Sequence, residues 1–391
     1  MSIAPTQLSI LAVGLGVAAA AGPEEKSAMK PEQFVGAALM LLFLADIFLT
    51  VLYARAGTGL LAPHWNRAVW ASMRAAARLS GRRRRALLSF AGPVIVVLLI
   101  GFWAFGLTIG AALVIQPELG TAIRPSTGSA STDFVTALLV AGNSLSIVGG
   151  GDYSPHTSAT RILFLSNSLI GASVLSLVLS YLVQVYSALR ERNALALTID
   201  LMTDGTGDAA AMLARLMPDG DPDGAASELG NLVQSLAATK EAHHFYPLLF
   251  YFRFEEPRYA VSRFTFVLLD LTTLIATGLD PHRYGTLVKS APVCALRQGA
   301  FMLLKTLDRN FPSVEHHTSD SSETWRSRLT YVAAIKTFER AGIAVQPDGI
   351  GRYTVDRRKW EPLAQRVAPS LGDTMAEIDS RYALSEPQNN V

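Results

Sequence analysis

Three consecutive glycines, Gly149, Gly150 and Gly151, run straight into an acid, Asp152. Glycine takes left-handed backbone angles without steric cost. A strand of such residues can alternate its backbone twist and turn successive carbonyls toward one axis. A ring of carbonyls supplied by several chains can replace the water shell of a cation. One chain supplies one strand, so this chemistry calls for a closed ring of copies, most simply four. Asp152 at the outer end would then form a ring of carboxylates that draws cations in.

Such a strand must be held at membrane depth. Irregular backbone survives there only where protein buries it or where it lines water. The stretch before the glycines meets that need. Phe134 to Ala141 is apolar but too short to cross a bilayer, and Ser131-Thr132-Asp133 precede it. Hydroxyls and an acid in that position cap a helix N-terminus. A short helix that enters and leaves on one side is re-entrant. Its C-terminal end carries partial negative charge, which favours a cation near the membrane centre.

Longer elements must frame this segment. Half of the 391 residues are hydrophobic, and they concentrate before about residue 190, while charge concentrates after it. Three stretches reach the length of about 20 residues that a spanning helix needs. They are Phe34 to Tyr53, Leu87 to Ile115 and Arg161 to Leu189. Residues 1–22, with apolar Leu8 to Ala21, read either as a signal peptide or as a short extra helix. The loop between the first two spans carries Arg55, Arg67, Arg74, Arg78 and the run Arg82 to Arg85, with no acid. That loop is expected in the cytoplasm. Arg190 and Arg192 after the third span fall on the same side. The run Arg82 to Arg85 also fits a contact with anionic lipid. Trp65 to Leu79 reads as an interfacial helix, with Val69, Trp70 and Met73 dipping into lipid.

The third span is polar on one face. Ser173, Ser176, Ser180, Gln184 and Ser187 recur at three- and four-residue steps,. That face either lines a wet cavity or packs against another helix through small residues. Gly171 is a candidate hinge or a packing glycine. Asp46 in the first span must be paired or hydrated; an Arg at the cytoplasmic end and interfacial water are the two candidates.

Helix, re-entrant helix, Gly-x-Gly-Asp and helix resemble the pore module of potassium channels. Ile147-Val148-Gly149-Gly150-Gly151-Asp152 is similar to the family's Thr-Val-Gly-Tyr-Gly-Asp filter, and Asp152-Tyr153-Ser154-Pro155 resembles its Gly-Asp-x-x-Pro ending. Ser180 to Tyr186 followed by Arg190-Glu191-Arg192 resembles the inner-helix ending of bacterial two-transmembrane-pore channels. Ala45 to Leu52 and Tyr246-Pro247-Leu248-Leu249 look like the extra leading helix and helical tail of that group. The resemblance implies a homotetramer in the bacterial inner membrane with a cytoplasmic C-terminal domain. It implies that carbonyls of Ile147, Val148, Gly149 and Gly150, in a filter closed by Gly151, hold a monovalent cation, potassium first. Asn143 would support the filter, and Ser173, Ser176, Ser180 and Gln184 would line the pore. Two departures bear on selectivity: the family's threonine is Ile147 and its aromatic is Gly150. A weakly selective pore, or a non-conducting pore-like scaffold, is the alternative reading.

The fold class is therefore an all-α membrane protein: three transmembrane helices, a re-entrant pore helix and filter loop, then a mainly helical cytosolic domain. The divisions are 23–87 for the first span and basic loop, 88–190 for the pore module and 191–391 for the tail. In the tail, Asn193 to Met202, Ala209 to Met217, Ala225 to Phe245, Ala291 to Leu307 and Ser321 to Ala341 read as helices. Phe264 to Leu279 carries Asp270 and four threonines and reads as a buried core helix,. A short hairpin is expected at Ile343 to Val345 and Arg352 to Val355, and disorder over the last ten residues. A net charge of +2 gives no hint of nucleic acid,. The single Cys294 makes no disulfide, and adjacent pairs His243-His244 and His316-His317 point apart, so no metal site is expected,. Gly205-Thr206-Gly207-Asp208 lacks the context of a dinucleotide loop,. No small-molecule ligand, cofactor or catalytic set is identifiable. The permeant cation is the one ion expected.

Overall fold

The computed structural model describes residues 29–53, 59–79, 83–146, 151–311 and 320–381. The expectations for residues 1–22, Arg82, Ile147 to Gly150, His316-His317 and the last ten residues lie outside these. Two compact units emerge: residues 1–67 with 96–184, and residues 68–95 with 185–391.

The helices up to Met202 are mostly apolar, and of them residues 68–95 and 185–202 belong to the second unit. The first helix, α1 (Pro31–Ile47), continues as a π-helical turn over Phe48–Leu52. An amphipathic helix, α2 (Ala62–Leu79), follows. A short α3 (Arg84–Ser89) leads into the outer helix, α4 (Ala91–Ile115), which has no charged residue. The pore helix is α5 (Phe134–Leu145) and the inner helix is α6 (Ser158–Met202). Between them lie β1 (Ile123–Pro125) and β2 (Tyr153–Pro155), an antiparallel pair that sets Arg124 opposite Ser154. Three helical stretches, Pro31–Leu52, Arg84–Glu118 and Ser158–Met202, are long and apolar enough to cross a membrane, as expected. At 45 residues α6 is roughly 67 Å long, more than twice the hydrocarbon thickness,.

Small residues let α1 and α4 approach closely, which is how helices associate without a hydrophobic drive. A Cβ on Gly36 would lie 2.5 Å from the Gly110 carbonyl oxygen, and Gly106 lies under the Phe43 ring. Phe43 meets Phe102 edge-on at 5.1 Å, and Trp65 of α2 stacks on Phe102 at 4.4 Å.

Asp46 is fully buried in this unit. Among the described residues no Arg pairs with it, and its burial keeps it away from interfacial water. Its Oδ1 accepts from the Leu61 and Ala62 amides at 2.7 and 3.2 Å, and its Oδ2 accepts from the Trp103 indole at 2.8 Å. The carboxyl group therefore caps the start of α2 from another helix, where the helix dipole favours an acid.

The second unit is helical throughout its described residues, apart from loops. Its helices are α7 (Ala209–Leu216), α8 (Ala225–Phe245), α9 (Val261–Gly278), α10 (Pro281–Val288), α11 (Ala291–Asn310), α12 (Asp320–Arg340), α13 (Ile350–Arg357), α14 (Glu361–Leu371) and α15 (Met375–Ile378). Long enough on length and composition to span a membrane, α9 is instead the core helix expected: all its residues except Arg263 and Ala276 are buried. It packs against α7, α11, α12, α13, α14 and α15. Asn193 to Met202 is the end of the continuous α6, not a separate helix.

The expected hairpin is absent. Arg352 to Val355 lies inside α13, and Pro347–Gly349 is a 3₁₀ turn. The reason is the core beneath. Tyr353 and Arg357, four residues apart on one helix face, both reach Asp270 of α9, at 2.6 and 3.2 Å. Arg357, fully buried, also pairs with Glu361 at 2.9 Å and Asp379 at 2.8 Å. Trp70 of α2, expected in lipid, is buried against the tail. Its ring lies 5.8 Å from Tyr251 and 6.2 Å from Phe311.

Candidate pore site

The pore helix begins where its cap dictates. Asp133 is the N-cap: its Oδ1 accepts from the Thr136 amide at 2.7 Å, and its Oδ2 accepts from the Ser131 and Thr136 hydroxyls at 2.5 and 3.0 Å. The Ser131 bond first, then those from Thr136, hold its carboxyl below the usual carboxylate range,. Ala137, Val140, Ala141 and Ser144 face protein, one helical stripe. At the other end Ser146 closes the helix through its amide to Gly142, 2.9 Å. Ile147 follows directly in the chain.

Two residues of α6 meet this last turn. Asn167, 1% exposed, donates from Nδ2 to Ser144 Oγ at 3.0 Å, and Ser144 donates onward to the Ala141 carbonyl at 2.8 Å. One turn along α6, Gly171 lies against Leu145. A Cβ there would clash severely with the Leu145 carbonyl oxygen. Gly171 thus sits at a close helix contact within an unbroken helix.

Beyond the glycine run the chain is held again. The Ser126 amide donates to the Asp152 carbonyl at 2.6 Å, next to the β1–β2 pair. The Tyr153 hydroxyl accepts from the Ser131 amide at 2.9 Å, which ties β2 to the cap of α5. Gly151 and Asp152 are exposed. Asn143 makes no hydrogen bond to Asp152 among the described residues. It lies instead against Gly151, where a Cβ would be 2.7 Å from its Nδ2.

On α6 the side chains of Ser173, Ser176, Ser180 and Gln184 are exposed in the single chain, and Ser187 is half-buried. Ser176 donates to the Ala172 carbonyl at 3.0 Å. The structure thus brings Asn143 and Gly151 together near the C-terminal end of α5, and sets Ser173, Ser176, Ser180 and Gln184 along one exposed helical row. Ile147, Val148, Gly149 and Gly150 lie outside the described residues.

Sequence reading missed Asn167 and Trp103. A signal for each was present. An amide in the middle of an apolar span is as conspicuous as Asp46, and either demands a polar partner. Trp103 is a tryptophan in mid-span, away from the interfaces where that residue concentrates.

Residues 93–188 match the family model Ion_trans_2, described as an ion channel. No curated protein and no solved structure matches the chain. The matched stretch begins at Pro93 in α4, contains α5 and ends at Ala188 in α6. Outer helix, capped short helix and inner helix thus coincide with the stretch, residues 93–188, over which this membrane protein is similar to the ion-channel domain Ion_trans_2, an arrangement consistent with a two-transmembrane pore module.

Proposed function

We propose that four copies of this chain surround a pore for monovalent cations, potassium first. Carbonyls of Ile147, Val148, Gly149 and Gly150 serve as ion ligands, Gly151 closes the filter and Asp152 forms the outer mouth. The observation that carries this reading is the exposed row Ser173, Ser176, Ser180 and Gln184 on the inner helix of the matched domain. Such a row of hydroxyls and an amide at membrane depth is least costly where it faces water. A cavity shared by four inner helices supplies that water. Opening is a rearrangement of α6, biased by the tail. The basic loop supports a cytoplasmic C-terminal unit and a contact with anionic lipid near Arg82 to Arg85, and the resemblance to bacterial channels favours a bacterial inner membrane.

A second reading has specific support. Ile147 lacks the hydroxyl and Gly150 lacks the aromatic ring of the family's filter. Those departures favour a weakly selective pore or a non-conducting scaffold. Bilayer recording with potassium on one side and sodium on the other separates the readings. A selective channel gives current that reverses near the potassium equilibrium potential. A weakly selective pore reverses near zero, and a scaffold gives no current. Gly149→Val is expected to abolish current while the protein still elutes as the same assembly. Persisting current would remove the filter assignment.

A further inference from the structure

We propose that Asn167 is a specificity-determining positioning residue: through Ser144 it fixes the end of the pore helix from which the chain enters the filter. The inference rests on the channel reading above and adds a residue to it. Asn167 touches no ion; it acts through α5.

The need for such an anchor follows from the sequence. A carbonyl ring discriminates between ions through the positions and stiffness of its ligands. In this chain three successive filter positions are glycine, so they carry no side chain with which to brace themselves. The stretch must be held from its two ends. At the outer end the Asp152 carbonyl accepts from the Ser126 amide at 2.6 Å, and β2 pairs with β1. At the inner end the polar contact to another helix is that of Asn167 to Ser144, three residues before Ile147.

The energetics favour a rigid contact. Asn167 and Ser144 are 1% and 8% exposed, so neither finds water. Breaking the bond strands a buried amide, which is costly. Ser144 remains bonded to the Ala141 carbonyl, so its hydroxyl proton is committed and its lone pair is aimed at Asn167. Gly171, one turn further along α6, permits this approach, since any Cβ there would meet the Leu145 backbone. Asn167 and Gly171 at i and i+4 therefore form a two-point seat for Ser144 and Leu145.

The test is the permeability ratio of potassium to sodium, from reversal potentials of purified full-length protein in bilayers. Three variants are compared with wild type: Asn167→Leu, Ser144→Ala and the double. The expected result is a fall of about tenfold in the ratio for each single variant. The double variant is expected to fall no further than the larger single, because both remove one contact. Size-exclusion elution checks assembly. If Asn167→Leu does not assemble, Ser144→Ala, the smaller change, decides alone. Wild-type current with ratios unchanged in assembled variants overturns this inference and leaves the channel reading standing. Additive losses overturn it as well, since they mean the two residues act separately. Wild-type protein without current overturns the channel reading, and this inference with it.

Discussion

Asp46 and His243 are two buried titratable side chains that make contrasting demands on their surroundings. Asp46 was conspicuous in the sequence as an acid in an apolar span, but its partners were not legible. They are two backbone amides and an indole, groups that no charge pattern announces. The geometry makes a specific prediction. In Asp46→Asn the carboxamide oxygen can keep the Leu61 and Ala62 amides, which turns its NH₂ toward the Trp103 N–H. Two donors then face each other, at a cost of about 2–3 kcal/mol. Trp103→Phe removes the opposing donor. Asp46→Asn/Trp103→Phe should therefore melt above Asp46→Asn alone in detergent, read by loss of the monodisperse elution peak with temperature. Strict additivity of the two changes would contradict the contact. His243 makes a demand of the opposite kind. It is fully buried, donates from Nδ1 to the Thr239 carbonyl at 2.8 Å, and burial pushes it down to about 3. It is neutral in the fold, whereas the unfolded chain takes up a proton below about pH 6.5. Between those values the unfolded state binds more protons, so stability falls as pH falls. The loss is about 2 kcal/mol between pH 7 and pH 5. His243→Leu should flatten the dependence, measured as the opening free energy of α8 by hydrogen exchange at the two pH values.

At the scale of elements, local signals sufficed wherever a helix carries its own punctuation. Asp133 marks the start of α5 and the Pro218 to Gly224 loop separates α7 from α8, and both stand as expected. The core nature of α9 was legible because Asp270 and its threonines do not suit lipid; the hydroxyls of Thr272, Thr273 and Thr277 bond to carbonyls one turn back. The segment Arg352 to Val355 shows the limit. Tyr, Thr and Val favour strands, and nothing local contradicts that preference. What decides is a cluster assembled from distant parts of the chain. Arg357 collects Asp270, Glu361 and Asp379, and a helix alone brings Tyr353 and Arg357 onto the face that meets Asp270. The same limit applies to the pore site. The cap, the short helix and the polar row on α6 were readable as spacing. The clasp between Asn167 and Ser144 joins residues 23 apart on two helices, and only their packing reveals it.

At the scale of the molecule, the second unit is not a simple tail. Residues 68–95 belong to it together with 185–391. Trp70 lies in that returning segment, 4% exposed, with its ring edge against Phe311 and tilted toward Tyr251. Phe311 in turn meets Phe250 edge-on at 6.0 Å. An interfacial anchor and a core residue make opposite predictions on truncation. Were Trp70 a lipid anchor, Trp70→Ala would weaken membrane association and leave the tail unchanged. As a core residue its loss opens a cavity among three aromatic rings and costs the tail about 3–5 kcal/mol. Hydrogen exchange on full-length protein separates the two outcomes. Protection should drop in the 3₁₀ turn Pro247–Tyr251 and at the end of α11, while α1 and the pore helix keep theirs, because Met40, Phe43, Trp103 and Ala137 form a separate core. Unchanged protection in the tail would return Trp70 to the lipid. A drop confined to the tail would establish that a segment between two spans is an integral part of the unit that follows the inner helix, and that expressing 191–391 by itself leaves one wall of that core open.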